Sequence, residues 1–129
     1  MHNPYVLVTG GSRGIGRAIV QRCLQDGYQV INLDKIAPPA LLKGETLYQA
    51  DLTDAEATKA ILKKITSEVN VTRVVNNAGF IRPAALEDAT VEDFEVVCAL
   101  NLRAPLLVVQ ALWPLMKKAG CGRSVNISS

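Results

Sequence analysis

Tyr5-Val-Leu-Val-Thr9-Gly10-Gly11-Ser12-Arg13-Gly14-Ile15-Gly16-Arg17-Ala18 is the stretch on which the fold turns. An apolar run leads into a glycine-rich turn, and an amphipathic pattern leaves it. This order reads as strand, tight turn and helix. The glycines at 10, 14 and 16 allow backbone angles that a side chain would forbid, and they let the chain approach a ligand closely. A helix starting near Gly14 aims its free N–H groups and the positive end of its dipole over the turn. A pyrophosphate is the natural occupant of such a place. The spacing is G-x-x-x-G-x-G, and a glycine triplet alone also suits a turn built for shape only.

Outward from this turn, strands alternate with helices. Tyr5–Thr9 reads as the first strand, apolar without alternation, as expected of a strand covered on both faces. Ile15, Ala18, Ile19, Cys23 and Leu24 mark one face of the first helix, and Gly27 closes it. Tyr28–Leu33 is the second strand, finishing at Asp34. Pro38-Pro39 and Gly44 bound a loop with room for one helical turn. Thr46–Ala50 is a third strand. Thr53 is expected to cap a helix that carries Ala57, Ile61, Leu62, Ile65 and Val69. Thr72–Val75 is a fourth strand running into Asn76-Asn77-Ala78-Gly79. Thr90 caps a helix with Val91, Phe94, Val97 and Cys98 on its apolar side. A long helix is expected over Asn101–Ala119, apolar almost all round and so buried on several sides. Pro105 is tolerated in its first turn, and Pro114 is expected to kink or end it. Ser124–Ser128 is a fifth strand. The expected class is α/β: one domain over residues 1–129, with a doubly wound parallel sheet whose first five strands are present with flanking helices.

Composition narrows the function classes. Lys and Arg number 14 against 12 Asp and Glu, and the basic residues are scattered; aromatic residues make up 5%. Neither the charge nor the aromatic content suits a nucleic-acid surface. No apolar run in the sequence approaches the ~20 residues of a bilayer span, and no signal peptide opens the chain, so no membrane partner is expected. Cys23, Cys98 and Cys121 form no metal pattern, and His2 is the single histidine, so no metal site is expected. Reduced thiols and a cytoplasmic location fit this usage.

In a parallel sheet of this kind ligands bind beyond the carboxyl ends of the strands. The polar candidates fall there together: Ser12 and Arg13 after the first strand, Asp34 ending the second, Asp51 after the third, Asn76 and Asn77 after the fourth, Ser128 and Ser129 ending the fifth. Asp34 stands 18 residues after Gly16, where a carboxylate accepts from an adenosine ribose and repels a 2′-phosphate. That favours NAD over NADP, with Arg13, and to a lesser degree Lys35, pulling the other way. Each residue also has a plain structural reading. Asp34 suits an exposed turn, Asp51 a position leading into a helix, Asn77 a turn, and Asn101 a helix cap.

Taken together, Thr9-Gly10-Gly11-Ser12-Arg13-Gly14-Ile15-Gly16, Asp51-Leu52, Asn76-Asn77-Ala78-Gly79, Asn101 and Val125-Asn126-Ile127-Ser128-Ser129 resemble the short-chain dehydrogenase/reductase family. The resemblance implies a Rossmann-like fold, a nicotinamide cofactor, reversible oxidation of a small-molecule alcohol to a ketone, and a homotetramer or dimer packed through the helix from Asn101. It assigns Gly10, Ser12, Arg13, Gly14, Ile15 and Gly16 to the phosphate region. Asp34 goes to the adenine ribose, Asp51 and Leu52 to the adenine. Asn77, Ala78 and Gly79 go to the nicotinamide-side ribose, and Ile127 to the nicotinamide. Asn101 takes the part of the catalytic asparagine that holds a water, and Ser129 that of the catalytic serine.

One departure matters. The family's acid/base is a tyrosine in a Tyr-x-x-x-Lys pair beyond the serine, and the lysine lowers the tyrosine's pKa. Tyr5, Tyr28 and Tyr48 have no lysine four residues on. The 129 residues are therefore expected to be the N-terminal part of a longer enzyme, the rest lying in further sequence or a companion polypeptide. An inactive nucleotide-binding module and a truncated fragment are the alternatives.

Overall fold

The structure, a computed structural model, describes residues 3–128. Five strands form one sheet: β1 (Tyr5–Thr9), β2 (Gln29–Asp34), β3 (Glu45–Gln49), β4 (Val71–Asn76) and β5 (Arg123–Asn126). Their order is β3-β2-β1-β4-β5 and every pairing is parallel. The order reverses at β1, between β2 and β4, which opens a crevice at the carboxyl ends of these strands. The expected doubly wound, Rossmann-like sheet is therefore present.

The helices are α1 (Gly14–Gln25), α2 (Ala55–Glu68), α3 (Val91–Cys98) and α4 (Ala104–Ala119). Two apolar clusters fill the two faces of the sheet. On one face Val20 of α1 packs with Val6 and Val8 of β1 and Val30 of β2. On the other, Leu62 and Ile65 of α2 and Val108, Leu112 and Met116 of α4 pack with Leu7, Ile31, Leu33 and Val74. Truncating one of the fully buried leucines to alanine costs about 2–5 kcal/mol. Because both faces are covered, β1 and β2 read as continuous apolar runs rather than alternating ones.

Local physics moves several expected features. The buried residues of α1 are Gly16 and Val20; Ile15 and Ala18 lie outside the packed face, because the helix turns the Gly16–Val20 line toward the sheet. Gly27 does close α1, its N–H donating to Leu24 O. Asp54, not Thr53, caps α2: its carboxylate accepts from Ala57 N, while the Thr53 hydroxyl is taken by Asp51. No helical turn forms between 36 and 44, and a short 3-10 turn at Leu86–Asp88, unforeseen, precedes α3. Thr90 caps α3 through Asp93 N as expected, but Val91 and Phe94 are exposed.

Asn101 does not open a helix. α3 runs through a π-helical turn at Ala99–Arg103 straight into α4, and Asn101 sits inside that turn. Pro105 lies in the first turn of α4; Pro114 lies inside the helix without ending it. Within this chain α4 is buried along one row, Ala104, Val108, Leu112 and Met116, whereas Leu102, Leu106 and Trp113 are exposed. β5 spans Arg123–Asn126, beginning one residue earlier and ending two residues earlier than expected. The continuous helix 91–119 contains an 18-residue window of mean hydropathy 1.6, long and apolar enough by composition to cross a membrane. The absence of any membrane-length apolar run is thereby corrected. In this fold the buried row of α4 packs on the sheet, while 22% of that window is buried within the chain.

Candidate functional site

At the carboxyl ends of β1, β2, β3 and β4 lies a cleft of about 630 Å³. Its floor is the glycine turn. Gly10 and Gly14 have φ of +67° and +59°, the left-handed region that side chains resist. The Gly10 N–H donates to Leu33 O at 2.9 Å, tying the turn to β2. A Cβ on Gly16 would stand 1.9 Å from Gly10 O, so α1 can begin this close to β1 only with glycine there. Arg13 precedes α1 in an extended conformation, and no side chain caps that helix. α2 and α3 each carry a side-chain cap. Among the described residues the first N–H groups of α1 thus have neither intrahelical nor capping partners, the arrangement that suits a bound anion.

Asp34 ends β2, and its carboxylate bridges two backbone amides: Oδ2 accepts from Ser12 N at 3.0 Å and Oδ1 from Ile36 N at 3.3 Å. The carboxylate is held at the wall rather than swinging in solvent. Lys35 turns away to Asp51, with Nζ 3.8 Å from Oδ2 in an exposed pair. Asp51 Oδ1 accepts from both the hydroxyl and the N–H of Thr53. These bonds, with Lys35 adding to them, hold the Asp51 carboxyl below the ordinary aspartate value. Leu52 is buried beside it.

Asn77 knits β4 to β1. Its backbone N donates to Thr9 Oγ1, and its amide donates to Thr9 O and Gly10 O, each at about 3 Å. Ala78 N also donates to Thr9 Oγ1. The Asn101 side chain forms a reciprocal pair with one residue: Oδ1 accepts from Phe80 N at 2.9 Å, and Nδ2 donates to Phe80 O at 2.7 Å. A π-helical turn and a side-chain clamp thereby fix the loop that leaves Gly79. Such turns recur at functional sites.

The cleft brings together Gly10, Arg13, Gly14, Asp34, Asp51, Leu52, Asn77, Ala78 and Gly79. Other candidates stand apart from its wall. Ser12 is buried, its hydroxyl donating to Ile36 O and accepting from Asn32. Ile15 is exposed, and Gly16 is beneath the turn. Asn101 reaches the cleft through Phe80. Ile127 donates its N–H to Asn76 O and is partly exposed. Ser129 lies outside the described residues. The sequence also points to Phe80, Ile81, Arg82 and Pro83 as one wall of a substrate pocket, and of these Phe80 lines the cleft; it gives no sign of the Thr9 hydroxyl's role, or of Val96 and Leu100, which complete the cleft wall from the helix side. Sequence reasoning also missed a buried polar group at Asn32, whose signal was an amide in the middle of an apolar strand.

The sequence profile described as "short chain dehydrogenase" matches residues 4–129. Among the curated relatives, "Probable galactose dehydrogenase" from Rhizobium meliloti is 36% identical over 96% of this chain and 53% of its own length. The chain spans about half the length of the curated relatives it matches. A short chain dehydrogenase from Leptospira borgpetersenii with bound NAD+ superposes with a TM-score of 0.89 at 31% identity, covering 99% of this chain and 52% of that one. A Beutenbergia cavernae structure, named for an NAD(P)-dependent gluconate 5-dehydrogenase and holding NADP at low occupancy, gives a TM-score of 0.87 at 26% identity. It covers 98% of this chain and 54% of its own. Structures of this fold thus bind either nicotinamide dinucleotide.

Proposed function

The chain belongs to the short-chain dehydrogenase family, and on that premise we propose an oxidoreductase that prefers NAD and interconverts an alcohol and a ketone. The uncapped start of α1 carries this reading, because it faces a cleft whose next wall is the pinned carboxylate of Asp34. The residues fit a dinucleotide. The turn is kept open by glycines, and a Cβ on Gly10 would crowd Ala78 Cα at 3.0 Å.

Gly10, Arg13 and Gly14 would hold the pyrophosphate, with Ser12, Ile15 and Gly16 shaping the turn. Asp34 would accept from the adenine-side ribose, and Asp51 and Leu52 would border the adenine. Asn77, Ala78 and Gly79 would meet the second ribose, with Ile127 near the nicotinamide. When bound, the nicotinamide supplies hydride exchange with the substrate carbon. Asn101 would hold a water for proton relay, and Ser129 would hydrogen-bond the substrate oxygen. No Tyr-x-x-x-Lys pair occurs within the 129 residues. Turnover is therefore proposed for a protein that supplies one, and nucleotide binding without turnover is the second reading. The exposed Leu102 of the π-helical turn and Leu106 and Trp113 of α4 support association with a further copy.

Asp34 accounts for the preference: a 2′-phosphate beside a carboxylate that forms no ion pair among the described residues is repelled. Titrating the protein separately with NADH and NADPH tests this. NADH is expected to bind about tenfold more tightly, a difference of about 1.4 kcal/mol. Equal or reversed affinities would mean that Arg13 outweighs Asp34. Binding of neither would remove the dinucleotide reading. Oxidation of NADH in the presence of a ketone panel, including a 3-oxoacyl thioester and a sugar ketone, separates enzyme from binder.

A further inference from the structure

Beneath the glycine turn lies a polar cluster to which the cleft residues assign no role. Asn32, in the middle of β2, is fully buried. Its Oδ1 accepts from Gly11 N at 3.0 Å, and its Nδ2 donates to Ser12 Oγ at 3.1 Å and to Glu45 Oε2 at 3.0 Å. Glu45, at the start of β3, has a side chain with no exposed surface; its Oε2 also meets Arg17 Nη1 at 2.6 Å, and its Oε1 accepts from Leu42 N. Arg17 in turn reaches Gly11 O at 3.4 Å and Ala40 O at 2.6 Å. The Gly11 residue is therefore held at both ends, its N–H by Asn32 and its carbonyl by Arg17. A Cβ on Gly11 would lie 2.6 Å from Asn32 Oδ1, so the amide presses directly on the turn.

A buried Asn–Glu–Arg cluster is a costly way to fill this space, since apolar residues of similar volume are often at least as stable. What it adds is direction. Apart from the bonds that join the three residues to one another, their side-chain contacts point at Gly11, at Ser12, or at the 36–44 segment beside the turn. We propose that Asn32, with Glu45 and Arg17, is a positioning unit that sets the orientation of the pyrophosphate-binding turn. It acts through Gly11 and Ser12 and touches no ligand itself. The inference rests on the dinucleotide reading above.

The test compares the affinity of the protein for ADP with that for adenosine, which shares the base and ribose but has no phosphate. Asn32→Asp keeps the acceptor for Gly11 N–H but sets a second carboxylate against Glu45. It is expected to weaken ADP by roughly tenfold or more, the scale of a small misplacement of binding groups, while adenosine stays unchanged. Adding Glu45→Gln to Asn32→Asp restores a donor opposite an acceptor and is expected to recover most of the ADP affinity. Should Asn32→Asp not fold, Glu45→Gln alone, close to isosteric, is expected to shift the same ADP-to-adenosine ratio in the same direction. Unchanged ADP affinity, a proportional loss of both ligands, or no recovery in the double variant would overturn the positioning role while leaving the dinucleotide reading intact. If the wild-type protein binds neither ADP nor NADH, the dinucleotide reading fails and the positioning role falls with it.

Discussion

β2 and β5 are strands of the same parallel sheet, yet they live in different surroundings. β2 lies between β1 and β3, is covered on both faces, and buries its four central residues. β5 pairs with β4 alone, and all four of its residues are exposed. The polar groups differ in the same way. Around β2, Asn32, Ser12 and Glu45 all find partners. Beside β5, Asn76 donates to Asn126, but its own Oδ1 is buried with no partner among the described residues. The candidate cofactor cleft belongs to the β2 side, where the frame is over-determined. The comparison shows that a strand's apolar pattern and its energetic weight are separate matters, because weight comes from what covers the strand.

The largest effect is expected at the turn. Gly16→Ala would drive a methyl group to 1.9 Å from Gly10 O and 2.5 Å from Asn77 Nδ2. Denaturant unfolding is expected to show a loss of about 3 kcal/mol, accompanied by loss of nucleotide binding. Wild-type stability in that variant would break the claim that this side is tightly framed.

An intermediate effect belongs to Tyr48 of β3, whose hydroxyl donates to Glu68 Oε2 at 2.6 Å. Burial, together with the Glu68 carboxylate, pushes its pKa up from 10 to about 12. The folded state favours the neutral phenol, so this contribution is complete below pH 10 and is lost as pH rises through about 12. Tyr48→Phe is expected to lower stability by about 1 kcal/mol at neutral pH and to flatten the decline in melting temperature above pH 10. A variant with the wild-type alkaline profile would contradict this. Glu45 has the opposite sign. Its hydrogen bonds outweigh desolvation and lower its pKa, so its contribution is present above the unfolded value and lost on acidification.

The smallest effect is expected at β5. Val125 is half exposed, and Val125→Ala should stay within about 0.5 kcal/mol of wild type. A loss comparable to Gly16→Ala would erase the distinction between the two sides.

Much of this frame was legible in the sequence, since apolar runs and glycines are local signals. All five strands were found, and Arg13, Asp34, Asp51 and Asn77, beyond the first four strands, do meet at one cleft, whereas Ser12 and Asn76 are buried away from its wall. The errors came where distant residues compete for local groups. Thr53 looked like a cap, but Asp51 takes its hydroxyl and leaves Asp54 to cap α2. Asn101 looked like the start of a helix, but α3 runs on through it, and its amide goes to Phe80, 21 residues away. The Arg17–Glu45–Asn32 cluster joins residues 28 and 13 positions apart, which no periodicity reveals. The burial of α4 on several sides was expected because composition reports hydrophobicity and not which neighbour covers it.

The central claim is that the cleft at the carboxyl ends of β1 to β4 binds a nicotinamide dinucleotide. Amide chemical shifts of the isotope-labelled protein, followed during NADH titration, test it residue by residue. The largest changes are expected at Gly10, Arg13, Gly14, Asp34 and Asn77–Gly79, with Arg123–Asn126 nearly still. Shifts centred away from the glycine turn, or none at saturating NADH, would contradict it.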